Sequence, residues 1–371
     1  MKGAPADGPV APRTDFDLHG LVGVRLLNAS ASDAAAVARQ LGPLPSTLDR
    51  EPDIVIRFVD RLTIASRVRY LGVEEAGFTD DAFLVLRSRH KAPARVQIPF
   101  DTIGKSCEIV CESGLPAVPL LIPVVNLTAL ARGAIPLHAS AFSYNGTGVL
   151  ITGWSKGGKT ETLLAFMARG ARYIGDEWVY VSGDGRRMFG IPEPVRVWNW
   201  HLEYVPQYRR LVSLGDRLRL RAIESARLLG RGVPSTRLVR RVTAILKRQA
   251  FVDMQPEELC GGRLGTLSGS LDKVFFAVSH DAPDVAVQAV DPQEVAGRMV
   301  FSLQHERLDF MSYYLKFRFA FPAAANDLIE GAETLERERL TRVLAGKDTF
   351  SLSHPYPVSL DALFQVVSAR L

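Results

Sequence analysis

Apolar residues in this chain fall in short runs broken by polar turns. Residues 21–27, 53–58 and 82–86 are runs of Val, Ile, Leu and Phe and predict strands, and 94–99 and 108–110 predict two more. The alanine-rich stretch 32–41 predicts a helix between the first two. Together they predict an amino-terminal α+β domain over residues 16–114, built on an antiparallel sheet. A Gly/Pro/Ala-rich tail over 1–15 precedes it and is expected to be flexible.

The remainder, 115–371, is expected to be one α/β domain. Residues 115–132 are apolar and helix-like after their prolines. Residues 141–144 and 149–151 flank Asn145-Gly146, a hairpin signal. Residues 161–168 predict a helix that ends near Gly170. Strand signals then surround Asp176-Glu177 and recur at 188–191, 273–278 and 285–287. Asp291-Pro292 begins a helix, with Asp at the cap and Pro at the first position.

Between the hairpin's second strand and the next helix lies Gly153-Trp154-Ser155-Lys156-Gly157-Gly158-Lys159-Thr160, a complete G-x-x-x-x-G-K-[ST] phosphate loop. Its glycines let backbone N–H groups turn toward phosphate oxygens, and the following helix start adds partial positive charge. Lys159 can reach the outer phosphates and the Thr160 hydroxyl can ligate Mg²⁺. A glycine turn with no ligand leaves Lys159 unexplained.

Asp176-Glu177 closes a short strand seventeen residues after Lys159. On an extended strand two adjacent carboxylates point to opposite faces, so both can serve the loop only if the strand bends there. A carboxylate near Mg²⁺ can hold metal-bound water or take a proton from an attacking hydroxyl. The alternative is an acidic pair capping nearby N–H groups. His138, at the start of the preceding hairpin, can lie across it and orient a carboxylate. All four tryptophans, Trp154, Trp178, Trp198 and Trp200, fall within 47 residues. Trp178 and Trp198 read as core filling, and Trp154 as a neighbour of nucleotide or acceptor.

Composition adds one asymmetry. The 371 residues are 47% hydrophobic and 23% charged, ordinary for a globular chain, and no run reaches the roughly 18 apolar residues of a membrane span. Three cysteines, Cys107, Cys111 and Cys260, lack the partners of a zinc site and read as buried thiols of a cytoplasmic protein. The net charge of +5 is local: residues 209–248 hold twelve Arg or Lys against Asp216 and Glu224, a balance of +10 that leaves −5 elsewhere. That segment can face an acidic acceptor, form a lid, or be a solvated helical face. Nucleic acid is a weaker alternative, because residues 211–250 hold no aromatic for base stacking.

Taken together, His138-Ala139-Ser140, Gly148 to Gly153, Ser155 to Thr160 and Gly170 to Glu177 resemble the catalytic core of the HPr kinase/phosphorylase family. They resemble more closely its HPr-kinase-like relatives in bacterial gene clusters, some of which phosphorylate peptides; phosphoenolpyruvate carboxykinase is a more distant relative. The match covers residues 138–177. It implies an HPr-kinase-like P-loop fold and transfer of the γ-phosphoryl group of ATP, with Mg²⁺, to a hydroxyl of a peptide, protein or small molecule. Asp176 would be the general base, His138 its orienting partner, Lys159 the phosphate-neutralising cation and Thr160 a metal ligand. Glu177 replaces the family's second aspartate. The glycine-rich signature of true HPr kinases is not evident; residues 190–196 stand in its place, with Glu193 a candidate metal ligand and Arg196 a candidate phosphate contact. HPr itself is therefore in doubt as acceptor, as is a reverse phosphorylase activity. HPr kinases form oligomers, so a homo-oligomer is also implied. Two other readings stand beside this one: a carboxykinase-like enzyme, and a nucleotide-binding regulator without turnover.

Overall fold

A computed structural model describes residues 13–42, 45–64, 66–87, 93–231, 246 and 249–371. The chain forms two compact units, one of residues 1–137, 180–186 and 296–345, the other of 138–179, 187–295 and 346–371. The architecture is mixed α/β.

In the first unit nine strands form one sheet. Val22–Leu27, Ile54–Val59 and Cys107–Glu112 lie side by side and parallel, while the flanking pairs are antiparallel. The antiparallel sheet expected here is therefore correct only at its flanks. The cause is the helix Ala31–Leu41, which carries the chain over the sheet between the first two parallel strands. Ser30 caps it: its hydroxyl accepts from the Asp33 amide at 3.2 Å and the Asp33 carboxylate accepts from the Ser30 amide at 3.1 Å. Along Ile54–Val59, Ile54, Ile56 and Phe58 are buried and alternate with half-buried residues, the mark of a sheet with one face in the core.

The division differs from a break at residue 114. Helix Leu121–Ala131 and residues 296–345 belong to the first unit. Phe100 shows why, with ring centroids 5.5 Å from Phe83, 5.3 Å from Phe310 and 5.3 Å from Phe317. The Asn326 amide also donates to the Phe100 and Ile103 carbonyls at 2.8 and 3.0 Å. The strand Arg13–Leu18 begins inside the stretch expected as a tail, and Asp15 is buried against Arg25 at 2.8 Å. Residues 1–12 of that tail lie outside the described residues. Cys107 and Cys111 are buried, and burial pushes both thiols up to about 12, whereas Cys260 is half-buried.

The second unit carries the glycine loop. Ile135–Tyr144 and Thr147–Gly153 form the expected hairpin, turning at Asn145 and Gly146, both at positive φ. Thr147–Gly153 then pairs in parallel with Lys273–His280, and that strand with Asp348–Pro355. The carboxyl ends of these three strands are where ligands of open α/β sheets bind. Behind the loop, helix Lys159–Met167 packs Phe166 on Phe142, ring centroids 4.5 Å apart, and on Phe364 at 4.9 Å. Among the described residues no helix is long and apolar enough to cross a membrane.

Candidate functional site

The loop 153–160 leaves the carboxyl end of Thr147–Gly153, and two of its glycines are obligatory. Gly153 has φ +140°, and a Cβ there would sit 2.3 Å from the Ala277 carbonyl oxygen. Gly158 has φ +98°, and its Cβ would sit 2.1 Å from His354 Nε2. The Gly157 amide donates to the Trp154 carbonyl at 3.0 Å and closes the turn. Lys156 holds φ +63°, a left-handed strain of the kind found at ligand clamps. Ser155 and Lys156 are exposed, and Trp154 is 50% exposed at the loop tip, without a core role, as expected. Lys159 is buried and folds back over the loop, its ammonium donating to the carbonyls of Trp154 at 2.9 Å and Gly153 at 3.3 Å.

The acidic pair meets the loop through a break in the strand. Arg172–Gly175 ends at Asp176, Trp178–Val181 begins just after Glu177, and Glu177 itself is left-handed at φ +65°. This interrupts the alternation that would send the two carboxylates to opposite faces. The Thr160 hydroxyl donates to Asp176 at 3.0 Å, and Glu177 Oε2 lies 3.0 Å from His138 Nε2. The expected His138–Asp176 partnership is therefore corrected: the left-handed turn gives His138 to Glu177, and Asp176 takes the loop threonine.

Charge at this point is unbalanced. Burial, then the neighbouring Glu177 charge, pushes the Asp176 carboxyl up to about 7, against the hydroxyls of Thr160 and Ser140 and the Lys159 charge. The His138 hydrogen bond holds Glu177 below its ordinary range, against partial desolvation of its carboxylate. Glu193 is driven well above its range by burial and by the charges of Glu177 and Asp176. Its Oε2 is buried without a hydrogen-bond partner. Three carboxyl groups thus share one neighbourhood, with the Lys159 ammonium drawing both Asp176 and Glu177 downward. Among the described residues no three His, Cys, Asp or Glu side chains make a closed metal cage.

A second set of residues behind the loop was not foreseen. Glu161, one position past Thr160, is buried and takes 3.1 Å from His201 Nε2. The Trp198 amide donates to His201 Nδ1 at 3.1 Å, so the ring's hydrogen is on Nε2 and points at Glu161. Burial raises the Glu161 carboxyl, but the His201 hydrogen bond outweighs it and holds it below the usual range. His354, fully buried, has Nε2 2.8 Å from the Gly157 carbonyl. The signals in the sequence were faint: a charged residue on a buried helix face, and isolated histidines far along the chain.

Some expected residues are engaged elsewhere. Arg196 pairs with Asp253 at 3.2 Å and stacks on Phe251 at 4.2 Å, so its described partners are not the loop, although its charge helps to lower Glu177. Trp178 and Trp198 are half-buried, not core filling; Trp178 lies 6.0 Å from the His138 ring and Trp198 5.4 Å from Phe251. They sit beside site residues because the strands they follow or form are short. The described part of the basic segment includes helix Leu214–Arg231, and Arg209, Arg217 and Arg221 line a cavity of about 350 Å³ together with Glu203 and Glu224. Arg237, Arg240 and Arg241 lie outside the described residues. No protein-family model matches this chain, and no curated protein matches it.

Proposed function

We propose that this chain is an ATP- and Mg²⁺-dependent kinase that transfers the γ-phosphoryl group to a hydroxyl, most simply that of a serine-type acceptor on a peptide or protein. The observation that carries this reading is the bond from Thr160 to Asp176, 3.0 Å long, which ties the glycine loop to a buried carboxyl. A carboxylate held beside the loop suits abstraction of a hydroxyl proton. Lys159 is positioned to trade its carbonyl partners at Gly153 and Trp154 for phosphate oxygens. Phosphoryl transfer leaves the protein little covalent work, so positioning and charge carry the catalysis.

The donor set suits Mg²⁺, which protein sites hold through one or two carboxylates and substrate phosphates. Thr160, Glu177 and Glu193 would hold it, and the buried, unpartnered Glu193 Oε2 is the group most in need of a cation. When bound, the ion neutralises charge on the β- and γ-phosphates. His138 acts through Glu177, holding it ionised and oriented, and is a positioning residue in this scheme.

The test is phosphoryl transfer from γ-labelled ATP to a serine-peptide library, wild type against Asp176→Asn. The variant keeps size and hydrogen bonding but loses the base, so transfer should fall by ~10²–10⁴ with ATP binding retained. Transfer within a few-fold of wild type would leave Asp176 with a purely structural role. ATP binding without transfer by the wild-type protein to any hydroxyl would favour a regulator.

A further inference from the structure

The second unit holds a cavity of about 380 Å³ that none of the catalytic assignments uses. Its walls include Trp198, Trp200 and Tyr356, and Lys156 of the glycine loop lies on its lining. The Trp200 and Tyr356 rings meet edge to face at 5.8 Å. Glu203 and Glu224 supply the acidic groups. We propose that this cavity receives the nucleoside end of the bound nucleotide, base and ribose together; the proposal rests on the nucleotide reading above.

Three observations favour this occupant over the phosphoryl acceptor. The cavity meets the loop at Lys156, whereas Asp176 meets it at Thr160, so the two touch the loop at different residues. A nucleotide whose γ-phosphate faces Thr160 and Asp176 has its other end to house elsewhere. Flat aromatic walls suit a base, whose π face stacks on them whatever its edge. Carboxylates accept hydrogen bonds but do not donate them, so Glu203 and Glu224 suit base N–H and ribose O–H groups and repel phosphate. The size is that of a small-ligand pocket.

The walls are also fixed relative to the phosphates. His201, next to Trp200, bonds Glu161 in the first turn of the helix that follows the loop. His354, two residues before Tyr356, meets the Gly157 carbonyl inside the loop. Two buried histidines thus register the aromatic walls to the glycine loop.

The test is calorimetric binding of ATP and of inorganic tripolyphosphate, each with Mg²⁺, to the full chain. Trp200→Ala removes one wall and Ala250→Leu fills the cavity, and circular dichroism checks that both fold. The wild type should bind ATP more tightly than tripolyphosphate. Both variants should lose about tenfold or more in ATP affinity, the scale of one lost base stack, and bind tripolyphosphate within twofold of wild type. Unchanged ATP affinity in both variants overturns the proposal and leaves the cavity to an acceptor. Equal losses for ATP and tripolyphosphate also overturn it, since the walls would then only brace the loop. A wild type that binds neither ligand defeats the nucleotide reading itself, a result distinct from the other two.

Discussion

Two histidine–glutamate pairs flank the same glycine loop, and they behave differently. His201 and Glu161 are 3.1 Å apart with side chains 0% and 6% exposed, and the His201 ring is also fixed by the Trp198 amide. His138 and Glu177 are 3.0 Å apart, but Glu177 is 48% exposed and shares its surroundings with Asp176 and Glu193. In the first pair the histidine holds the carboxylate below its ordinary range despite complete burial. In the second pair the histidine does the same for Glu177, and the cost appears on Asp176 and Glu193, both driven upward. The difference separates structural from chemical use of one motif. One pair is satisfied within itself, whereas the other leaves surplus carboxyl groups beside the glycine loop, which a proton or a cation would resolve.

The largest effect should come from breaking the satisfied pair. Glu161→Ala leaves a buried imidazole N–H without its acceptor and a cavity beside it, and should cost about 3 kcal/mol of stability, read by chemical denaturation. Glu161→Gln tests the charge of the pair. Because the folded carboxyl is depressed, its contribution is present above the unfolded value near 4.5 and is lost as pH falls through the folded value. The Gln variant should be less stable than wild type at pH 7, with the gap closing as pH falls below 4.5. A gap independent of pH would mean that the pair contributes shape but no charge.

The opposite sign is expected on the other side. Asp176 is raised from 3.8 to about 7, so its folded form binds a proton that the unfolded chain releases, and keeping it ionised above pH 7 destabilises the fold. Asp176→Asn should therefore raise stability at pH 8, read as a Tm higher by at least a few degrees, and the gain should vanish toward pH 4. A residue whose loss lowers transfer while stabilising the protein is placed for chemistry, not for folding. Loss of stability at pH 8 would make Asp176 part of the scaffold.

Much of the Asp176 side was legible in the sequence because its parts are local. The loop, the acidic pair and His138 lie within forty residues, and hairpin and strand signals put them on adjacent elements. The partner of His138 was not legible, since it depends on one left-handed residue, Glu177, and neighbouring carboxyls compete for the same ring. The Glu161 side was hidden for a different reason. His354 meets Gly157 across 197 positions, and His201, though only 40 past Glu161, is joined to it by no motif or hairpin signal. The unit boundary was missed likewise: the Phe100 cluster draws in Phe310 and Phe317 from far along the chain.

The most direct measurement is titration of Mg-ATP into wild type and Lys159→Ala by calorimetry, with folding checked in both. The proposed function predicts saturable 1:1 binding by the wild type and its collapse in the variant, because the ammonium now resting on the Gly153 and Trp154 carbonyls would then pair with the phosphates. Equal binding by both proteins, or none by the folded wild type, would contradict it.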